Sequence, residues 1–321
     1  MRVWVTGASG FVARHLIPAL RGEGHEVMGV GLLAEPPAWL DPARYRAVDV
    51  RRAGDIKALA AEVPPEAVVH LAGQSSAAQS FRAVEETFQQ NLGSALGLLE
   101  GLRAASHRPR VLMVSTSEVY GPQDSAAPIV ESSQLHVVSP YGASKLAAEV
   151  IAETYGREYG LPILRIRPFS HTGYGQDTRF ALSSFADQIV AHGEGKGRGK
   201  LEVGNLEVVR DYLDVQDVVR AYLVLLHHGA PGEVYNIASG TGFRMRDLLD
   251  RMIELAGGGF DVQVDPARMR AQDLNFLVGD GSRLRSLGWQ PGPGMDPALE
   301  GLLQWRRDAQ AEVARKRAPN S

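Results

Sequence analysis

A strand that runs directly into a glycine-rich loop at the start of the chain is the feature that most restricts the fold. Residues 1–14 read MRVWVTGASGFVAR, an apolar run followed by Gly7, Gly10 and an apolar helical pattern. Glycines at such a junction allow a tight turn and let the backbone approach a pyrophosphate, which the N-terminus of the next helix stabilises. Ala13 occupies a third small position. The junction predicts a βα unit that binds a dinucleotide.

Short runs of β-branched residues alternate with amphipathic segments through the first half of the chain. The predicted strands are residues 2–5, 26–30, 68–71, 111–115 and 163–167, and the predicted helices are residues 11–23, 56–62, 87–104 and 141–159. Strands separated by helices pair in parallel, because each helix carries the chain back across the sheet. This order predicts an α/β fold with a doubly wound parallel sheet.

The regular alternation ends after Pro168, where glycine-rich segments begin. A buried strand is predicted again at residues 234–239, so the chain is expected to return to the first sheet before its last segment. We therefore predict two interleaved domains. Residues 1–168 with 211–239 form the dinucleotide-binding domain, and residues 169–210 with 240–321 form a second, smaller C-terminal domain for the substrate.

Composition excludes several functions. The 321 residues include 34 basic and 37 acidic ones, and this balance gives no indication of a nucleic-acid partner. No apolar stretch approaches the roughly 20 residues that span a bilayer, which predicts no membrane partner. The first residues lack the pattern of a signal peptide, so we expect a cytoplasmic protein. Because the chain has no cysteine, redox chemistry would need a bound cofactor.

Tyr141 and Lys145 stand four residues apart in the segment SPYGASK. If Ser139 and Pro140 begin a helix, this spacing puts the phenol and the ammonium on one face, where the cation lowers the pKa of the phenol. Such a tyrosine exchanges a proton near neutrality and is a candidate general acid or base. For an isolated pair of this spacing, a solvated helix face is the alternative interpretation.

Several strand ends are candidates for contacts with the dinucleotide. The second strand ends in GVGLLAE, without a carboxylate for a ribose 2′-hydroxyl or an arginine for a 2′-phosphate. The sequence therefore leaves NADP and NAD open, with NADPH slightly favoured. Asp49 follows a third strand, where its carboxylate could accept an adenine amino proton. His70, at the end of the fourth strand, is interpreted as a buried, hydrogen-bonded residue, and its spacing predicts no metal site.

The chain as a whole resembles the extended short-chain dehydrogenases/reductases that modify nucleotide sugars. The resemblance is carried by an ordered set of segments: TGASGF, HLAG, Asn91, STSEVYG, SPYGASK, RPFSHTGYGQ, VGNLEVVRDYLDVQD and YNIASG. Within that family the chain is most similar to GDP-4-keto-6-deoxy-mannose reductases, and next to GDP-mannose 4,6-dehydratases. VGNLEVVRDYLDVQDVV and MRAQDLNFLVGD carry this finer resemblance.

The resemblance implies that Thr116, Tyr141 and Lys145 form the catalytic group. It places the dinucleotide against Gly7, Gly10, Phe11, Val12, Asp49, Val50, Leu71, Ala72, Gly73, Asn91, Tyr141 and Lys145. It places the nucleotide sugar against Ser75, Ser117, Ser170, His171, Phe180, Asn205, Arg210 and Arg270. Arg210 and Arg270 fall on diphosphate-binding positions, where a planar guanidinium pairs with phosphate oxygens in a bidentate way. Surface salt bridging is the alternative interpretation of both arginines.

Two segments depart from the family pattern. Where the family reads Arg-x-x-Asn-His, this chain reads RPFSH at residues 167–171, with Ser170 in the asparagine position. A contact normally made by the asparagine amide must be made differently or lost, which leaves the sugar open. The family's Arg-Pro-Ser-Glu element is RAQD at residues 270–273. It keeps a cation and an acid without the rigid proline, which leaves the nucleotide base less certain.

The resemblance implies reduction of the C4 ketone of a GDP-4-keto-6-deoxyhexose to a GDP-6-deoxyhexose such as GDP-D-rhamnose. Glu118 supports an alternative, a GDP-mannose 4,6-dehydratase or a related dehydratase or epimerase with tightly bound NAD(P), in which a carboxylate removes the C5 proton. Glu118 is equally interpretable as a hydrogen-bonding anchor at the strand end. A non-catalytic dinucleotide sensor is a second alternative, and the intact Thr116, Tyr141 and Lys145 argue against it.

Family members commonly pair through the helix after HLAG and the helix that contains the Tyr–Lys pair. The resemblance therefore implies a homodimer with a four-helix contact. The apolar residues available for the core and for this interface are Leu92, Leu96, Leu98, Leu99, Ile151 and Tyr155.

Overall fold

The main sheet is parallel throughout and is completed by strands from both halves of the chain. The computed structural model describes residues 1–105, 108–123, 127–193, 199–269 and 274–317. Its strands are β1 (Arg2–Thr6), β2 (Glu26–Gly31), β3 (Tyr45–Ala47), β4 (Ala67–His70), β5 (Arg110–Val114), β6 (Ile163–Pro168), β7 (Ser170–Thr172), β8 (Gly199–Val203), β9 (Val209–Asp214), β10 (Val234–Ile237), β11 (Gly242–Arg244), β12 (Phe260–Val264) and β13 (Phe276–Leu277). Seven of them form one sheet in the order β10-β6-β5-β4-β1-β2-β3, and neighbouring strands are parallel. The predicted doubly wound α/β fold is confirmed, including the return of β10.

Helices connect these strands and cover both faces of the sheet. They are α1 (Phe11–Gly22), α2 (Ala53–Glu62), α3 (Ala77–Ser80), α4 (Val84–Arg103), α5 (Pro140–Tyr159), α6 (Ala181–His192), α7 (Val215–His228), α8 (Met245–Leu255), α9 (Ser282–Arg285) and α10 (Asp296–Arg317). Short 3-10 turns cover Pro42–Arg44, Ser117–Val119 and Pro266–Arg268. Within the described ranges, none of the helices has both the length and the apolar character needed to cross a membrane.

Alternate side chains of β1 show how the sheet is covered. Val3 and Val5 are buried in one apolar cluster with residues of α1 and α7, whereas Trp4 is buried in another with residues of α2, α4 and α5. Successive residues of a strand point to opposite faces, so a strand with helices on both sides is apolar at every position. Because the strands are parallel, their carboxyl ends lie along one edge of the sheet. Most of the predicted cofactor and catalytic residues lie in the loops and at the helix starts along that edge.

The remaining strands build a smaller second part. Strand β9 pairs with β7, β11 and β13, and β8 pairs with β12. Helices α6, α8 and α10 pack together with these strands around a separate apolar cluster. Its buried members include Leu182, Ile189, Leu249, Met252 and Leu299. The chain enters this part after β6, returns to the main sheet at β10 and then leaves it again.

Candidate active site

Tyr141 and Lys145 lie on the first two turns of α5. Ser139 begins this helix, because its hydroxyl accepts a hydrogen bond from the Gly142 amide at 3.0 Å. Pro140 occupies the first helical position, where a backbone N–H has no intrahelical partner in any case. Tyr141 and Lys145 are each only 8% exposed. The predicted helix start is confirmed, and the pair faces the interior rather than solvent.

Thr116 brings a hydroxyl to this pair from the end of β5. It caps a 3-10 turn by accepting a hydrogen bond from the Glu118 amide at 3.2 Å, and the same hydroxyl is hydrogen-bonded to the phenol of Tyr141. Lys145 Nζ donates to the carbonyl oxygen of Val114 at 3.0 Å. The end of β5 therefore orients both the phenol and the ammonium.

The ionisation of the pair differs from the sequence prediction. The pKa of Tyr141 is raised, first because burial disfavours the phenolate and second because the charge of Glu118 lies nearby, while the Thr116 hydrogen bond acts in the opposite direction. Burial lowers the pKa of Lys145 to about 8, against the charge of Glu149. The prediction that Lys145 lowers the pKa of Tyr141 is therefore wrong for this structure. Tyr141 is a protonated phenol at neutral pH.

Glu118 is held by the start of α5. Its Oε2 atom accepts a hydrogen bond from the Ser139 hydroxyl at 3.1 Å, and the same hydroxyl accepts from the amide of Gly142. The carboxylate thus belongs to the network that fixes the beginning of the catalytic helix. This contact favours the interpretation of Glu118 as an anchor, although its charge also reaches the phenol of Tyr141.

The loop between β1 and α1 has the form expected of a pyrophosphate site. Gly7 has a φ of +66°, and a Cβ atom built on it would lie 2.8 Å from the Ala72 nitrogen and 2.9 Å from the Leu71 carbonyl carbon. The amide of Gly10 donates to the Gly7 carbonyl at 2.9 Å, which closes the turn. A side chain at Gly7 would strain the backbone and collide with the next strand end. The bare backbone leaves the N-terminus of α1 able to receive a phosphate.

Buried polar atoms at the same edge also fit a dinucleotide. Asn91 Oδ1 and Ser115 Oγ are buried and have no hydrogen-bond partner within the described part of the chain. The other end of the Asn91 amide donates to Ser144 Oγ at 2.8 Å. A Cβ atom on Gly73 would collide with Asn91 Oδ1 and lie 3.7 Å from Lys145 Nζ. Buried polar atoms without partners are uncommon, and a ligand that supplies the missing partners explains them.

Asp49 and Val50 follow β3. Val50 is buried in the core, while the Asp49 carboxylate pairs with Arg51, whose Nη2 lies 2.7 Å from Oδ2. This pairing lowers the pKa of Asp49. At the end of β2, Leu32 and Leu33 are exposed, so the residues directly after β2 present no charge to a ribose. The adenine contact of Asp49 stays a prediction.

His70 has the structural role expected of it. Its Nδ1 lies 2.8 Å from Thr6 Oγ1 and its Nε2 lies 3.3 Å from Ser94 Oγ. Complete burial lowers its pKa to about 3, and the charge of Lys145 adds a smaller effect in the same direction. The neutral ring links the ends of β1 and β4 to α4 and so stabilises the sheet edge that carries the predicted cofactor residues.

Two of the predicted substrate residues are neighbours in one short strand, and one of them contacts the start of α1. Ser170 and His171 belong to β7, the first strand of the second part. The ring of His171 stacks on Phe11, with centroids 6.2 Å apart and planes inclined by 10°, and burial lowers the pKa of His171. Phe11 and Val12 open α1. The start of the cofactor helix therefore contacts the second part of the molecule.

The other predicted substrate residues come from separate segments. Arg210 lies in β9 and donates from Nη1 to the Val209 carbonyl at 3.0 Å. Asn205 precedes that strand and accepts from the Glu207 amide at 3.0 Å, which forms a tight turn. Phe180 is half-buried before α6, Ser75 is exposed in the loop after β4, and Ser117 is buried next to Thr116. Arg270 lies outside the described residues. The substrate contacts of this group stay predictions.

Asp211 is a buried carboxylate that no sequence pattern reveals. It accepts hydrogen bonds from the amide and hydroxyl of Ser239 at 3.0 and 2.7 Å, from the Gly240 amide at 2.9 Å and from the Gly279 amide at 3.3 Å. Burial raises its pKa, and these hydrogen bonds oppose that effect. Ser239 and Gly240 follow β10 of the main sheet, whereas Asp211 itself lies in β9. The carboxylate therefore ties the two parts of the molecule together.

A cation also joins the two parts. The guanidinium of Arg14 lies 5.2 Å from the ring centre of Tyr174 and 4.8 Å from that of Trp305. His15 Nε2 lies 2.7 Å from the Tyr174 carbonyl oxygen. Arg14 and His15 belong to α1 and Trp305 belongs to α10, so the cofactor helix is attached to the last helix of the chain. These contacts join residues far apart in sequence, and no local motif predicts them.

The fold and the site together define a class of protein. A parallel doubly wound sheet, a glycine turn at the start of α1 and a buried Tyr–Lys pair beside a threonine are the features of extended short-chain dehydrogenases/reductases. A family model described as the NAD dependent epimerase/dehydratase family matches residues 3–238, and the chain belongs to this family.

Known relatives match nearly the whole chain. The sequence is 39% identical over 305 residues to GDP-6-deoxy-D-mannose reductase from Pseudomonas aeruginosa, covering 94% of this chain and 96% of the relative. The structure of RMD from Pseudomonas aeruginosa complexed with NADPH has a TM-score of 0.84 at 35% identity, covering 96% of this chain and 99% of that one. The UDP-glucose 4-epimerase of Thermus thermophilus in complex with NAD has a TM-score of 0.86 at 29% identity, with 96% and 100% covered.

Proposed function

We propose that the protein reduces the C4 ketone of a GDP-4-keto-6-deoxyhexose to a GDP-6-deoxyhexose such as GDP-D-rhamnose, with NADPH or NADH as the reductant. The observation that carries this proposal is the buried phenol of Tyr141, held beside Thr116 and Lys145 at the carboxyl edge of the sheet. The 39% identity to a protein named GDP-6-deoxy-D-mannose reductase supports the substrate class. The NADPH-bound structural neighbour supports the cofactor.

The bound, reduced dinucleotide supplies the hydride for C4. Tyr141 donates its proton to the oxygen that becomes an alkoxide, and its raised pKa keeps that proton available at neutral pH. Thr116 hydrogen-bonds the same oxygen and positions the ketone. The ammonium group of Lys145 lies on the same helical face, and from its position near Gly73 it can hold a ribose hydroxyl of the dinucleotide.

Binding of the dinucleotide falls to the glycine turn and the edge around it. Gly7 and Gly10 expose the backbone of the turn to the pyrophosphate, while Asn91 Oδ1 and Ser115 Oγ supply buried polar atoms without partners in the described structure. Because no charged residue stands directly after β2, NADPH and NADH are both accepted as candidates, with NADPH favoured by the neighbour that contains it. Arg210, with Arg270, supplies the cations for the diphosphate of the sugar nucleotide.

A GDP-mannose 4,6-dehydratase is the second candidate, because Glu118 places a carboxylate near the phenol. That reaction needs a carboxylate that is free to remove the C5 proton. The hydrogen bond that Ser139 donates to Glu118 therefore favours the reductase. The carboxylate is already engaged at the start of α5.

The deciding experiment adds GDP-4-keto-6-deoxy-mannose to the purified protein with NADPH and, separately, with NADH. We expect loss of the reduced-nicotinamide absorbance in proportion to the sugar reduced, with GDP-mannose as a control that gives no oxidation. Formation of a 4-keto product from GDP-mannose without added dinucleotide would instead establish a dehydratase. Dinucleotide binding without turnover of either sugar would establish the sensor.

The domain division follows from the same site. Residues 1–168 with 211–239 hold the dinucleotide, and residues 169–210 with 240–321 hold the sugar nucleotide. The boundary at residue 210 falls within β9, which pairs with strands of the second part. Limited proteolysis with and without NADPH tests this division, since the dinucleotide should protect the first set of residues before the second. Equal protection of both sets by the dinucleotide alone would contradict it.

A homodimer through α4 and α5 completes the proposal. Leu98 and Leu99 are fully buried in the core, whereas Leu96 and Val150 are 43% and 56% exposed. Leu96 and Val150 are therefore among the exposed apolar side chains of α4 and α5 that such a contact would cover, together with the partly buried Ile151 and Tyr155. The mass in solution, measured over a concentration series, should equal two chains. Leu96→Glu should shift it to one chain, whereas Val313→Glu on the exposed tail helix should not.

A further inference from the structure

Glu23, His25 and His227 form a cluster at the edge of the main sheet where the strands begin, opposite the edge that holds the candidate active site. Glu23 follows the last residue of α1, His25 precedes β2, and His227 lies in the last turn of α7. One ligand atom from each residue lies within 4.8 Å of the others, and it is the one group of three potential metal ligands found in the described ranges. The sequence gives no indication of it, because His227 is distant in the chain.

His25 is the most informative member of the cluster. Its side chain is only 7% exposed, and its Nε2 atom is buried without a hydrogen-bond partner in the described structure. The Met1 amino nitrogen lies 3.4 Å from Nδ1, so Nε2 is the ring nitrogen that faces the cluster. A buried ring nitrogen without a partner is costly unless another group completes it.

The distances suit a small divalent cation. His25 Nε2 lies 3.6 Å and His227 Nε2 lies 3.2 Å from the same oxygen, Oε2 of Glu23. Around Zn²⁺, with bonds of about 2.0–2.1 Å, tetrahedral ligand atoms are about 3.3–3.4 Å apart. Only the two histidine nitrogens must approach each other, and His227 is 38% exposed at the end of its helix, where it can turn.

We propose that Glu23, His25 and His227 form a binding site for a zinc-class divalent transition-metal ion. Two imidazole nitrogens and one carboxylate oxygen supply three ligands, and water completes a tetrahedron. The ion gives the buried His25 Nε2 a direct bond in place of its 3.6 Å approach to Glu23 Oε2. The two imidazole rings are already close together, with centroids 5.3 Å apart.

The position of the site indicates what the ion does. It joins the carboxyl ends of α1 and α7, two helices that pack together on one face of the main sheet. The glycine turn lies at the other end of α1, about 18 Å away for a helix of this length. The ion therefore stabilises the fold at the edge opposite the active site, and it takes no part in hydride transfer.

The test is a zinc titration of the full chain without a tag, since a polyhistidine tag binds zinc and an N-terminal extension would displace Met1. We expect one zinc ion per chain by calorimetry. We also expect the midpoint of thermal unfolding to rise by a few degrees at saturating zinc.

Three variants separate this site from adventitious binding. His25→Gln and His227→Gln should each weaken zinc binding by about tenfold or more and remove the thermal shift. His228→Gln, which changes the neighbouring exposed histidine, should leave both unchanged. If His25→Gln does not fold, the zinc affinity and thermal shift of His227→Gln and Glu23→Gln test the site instead. Absence of saturable binding, or equal affinity in the His227 and His228 variants, would overturn the proposal.

Discussion

The carboxyl edge of the main sheet and the second part of the molecule hold their predicted functional residues in different ways. At the sheet edge, Thr116 ends a strand, Tyr141 and Lys145 stand on one helical face, and Gly7 closes a strand-to-helix turn. In the second part, Ser170, Asn205 and Arg210 stand on short segments that meet only through tertiary contacts. The comparison indicates that local strand and helix periods are enough to position the predicted catalytic residues, whereas the positions of the predicted substrate residues depend on tertiary contacts.

The largest test of the comparison is Tyr141→Phe. Removing the acid while keeping the ring should lower kcat by about 10²–10⁴-fold, the usual contribution of a positioned general acid. Dinucleotide affinity, measured by fluorescence titration, should change little because the glycine turn is untouched. A variant that keeps its rate within about threefold would show that the sheet edge binds the cofactor without supplying the acid.

The second test breaks the connection between the two regions. In Asp211→Asn, an amide replaces a carboxylate that accepts four hydrogen bonds. The NH₂ group of the new amide then faces backbone or hydroxyl donors that pointed at a carboxylate oxygen. We expect the free energy of unfolding to fall by about 3 kcal/mol. Urea unfolding measures it, with Asp250→Asn, an exposed change on α8, as the matched control. Equal stability of the two variants would mean that Asp211 does not hold the two parts together.

A third test concerns acid stability at the sheet edge. The pKa of His70 is lowered to about 3 in the folded protein, against about 6.5 in an unfolded chain. Below pH 6.5 the unfolded chain therefore binds a proton on His70 that the folded protein excludes. The contribution of the neutral His70 to the free energy of unfolding is present above that pH and is lost as the pH falls towards 3. From pH 7 to pH 5 the loss from His70 should be about 2 kcal/mol.

Urea unfolding at pH 7, 6 and 5 measures this loss, and His70→Gln supplies the comparison. The variant should be less stable at pH 7, because the bonds to Thr6 and Ser94 change, but its stability should fall less between pH 7 and pH 5. Parallel pH profiles for the variant and the unaltered protein would rule out His70 as a source of the acid sensitivity.

The smallest expected effect lies in the second part. Arg210→Gln should raise KM for the sugar nucleotide by about tenfold with kcat nearly unchanged, because a charge-assisted contact to phosphate is made equally before and during reaction. Arg244→Gln is the matched control, since Arg244 lies on the neighbouring β11 and pairs with Glu207. The same KM in both variants would remove Arg210 from the substrate site.

The sequence predicts the sheet edge well for a physical reason. Strand and helix periods are local, and parallel topology then forces strand ends such as Thr116 and Gly7 to one side. The charges at that edge are not local. Whether Lys145 lowers the pKa of Tyr141 depends on burial and on Glu118, which no spacing encodes, and the structure reverses the predicted direction.

Contacts between distant segments explain the rest of what the sequence does not predict. Asp211 is adjacent to a predicted arginine, yet its partners follow β10 and β13. The attachment of Arg14 to Tyr174 and Trp305 joins the first helix to the last. Such contacts form only when the main sheet has brought both parts together, so the helical and strand periods of the sequence do not predict them.

The place of β10 in the main sheet has a consequence for how the chain is made. Strand β10 is an edge strand that covers β6, so β6 keeps one side unpaired during synthesis until residues 234–237 leave the ribosome. Its buried residues Ile163, Leu164 and Ile166 then border an open row of backbone N–H and carbonyl groups, which favours pairing with other chains. We therefore expect a nascent chain stopped before β10 to be prone to pairing with other chains, although it already contains every member of the Thr116, Tyr141 and Lys145 group.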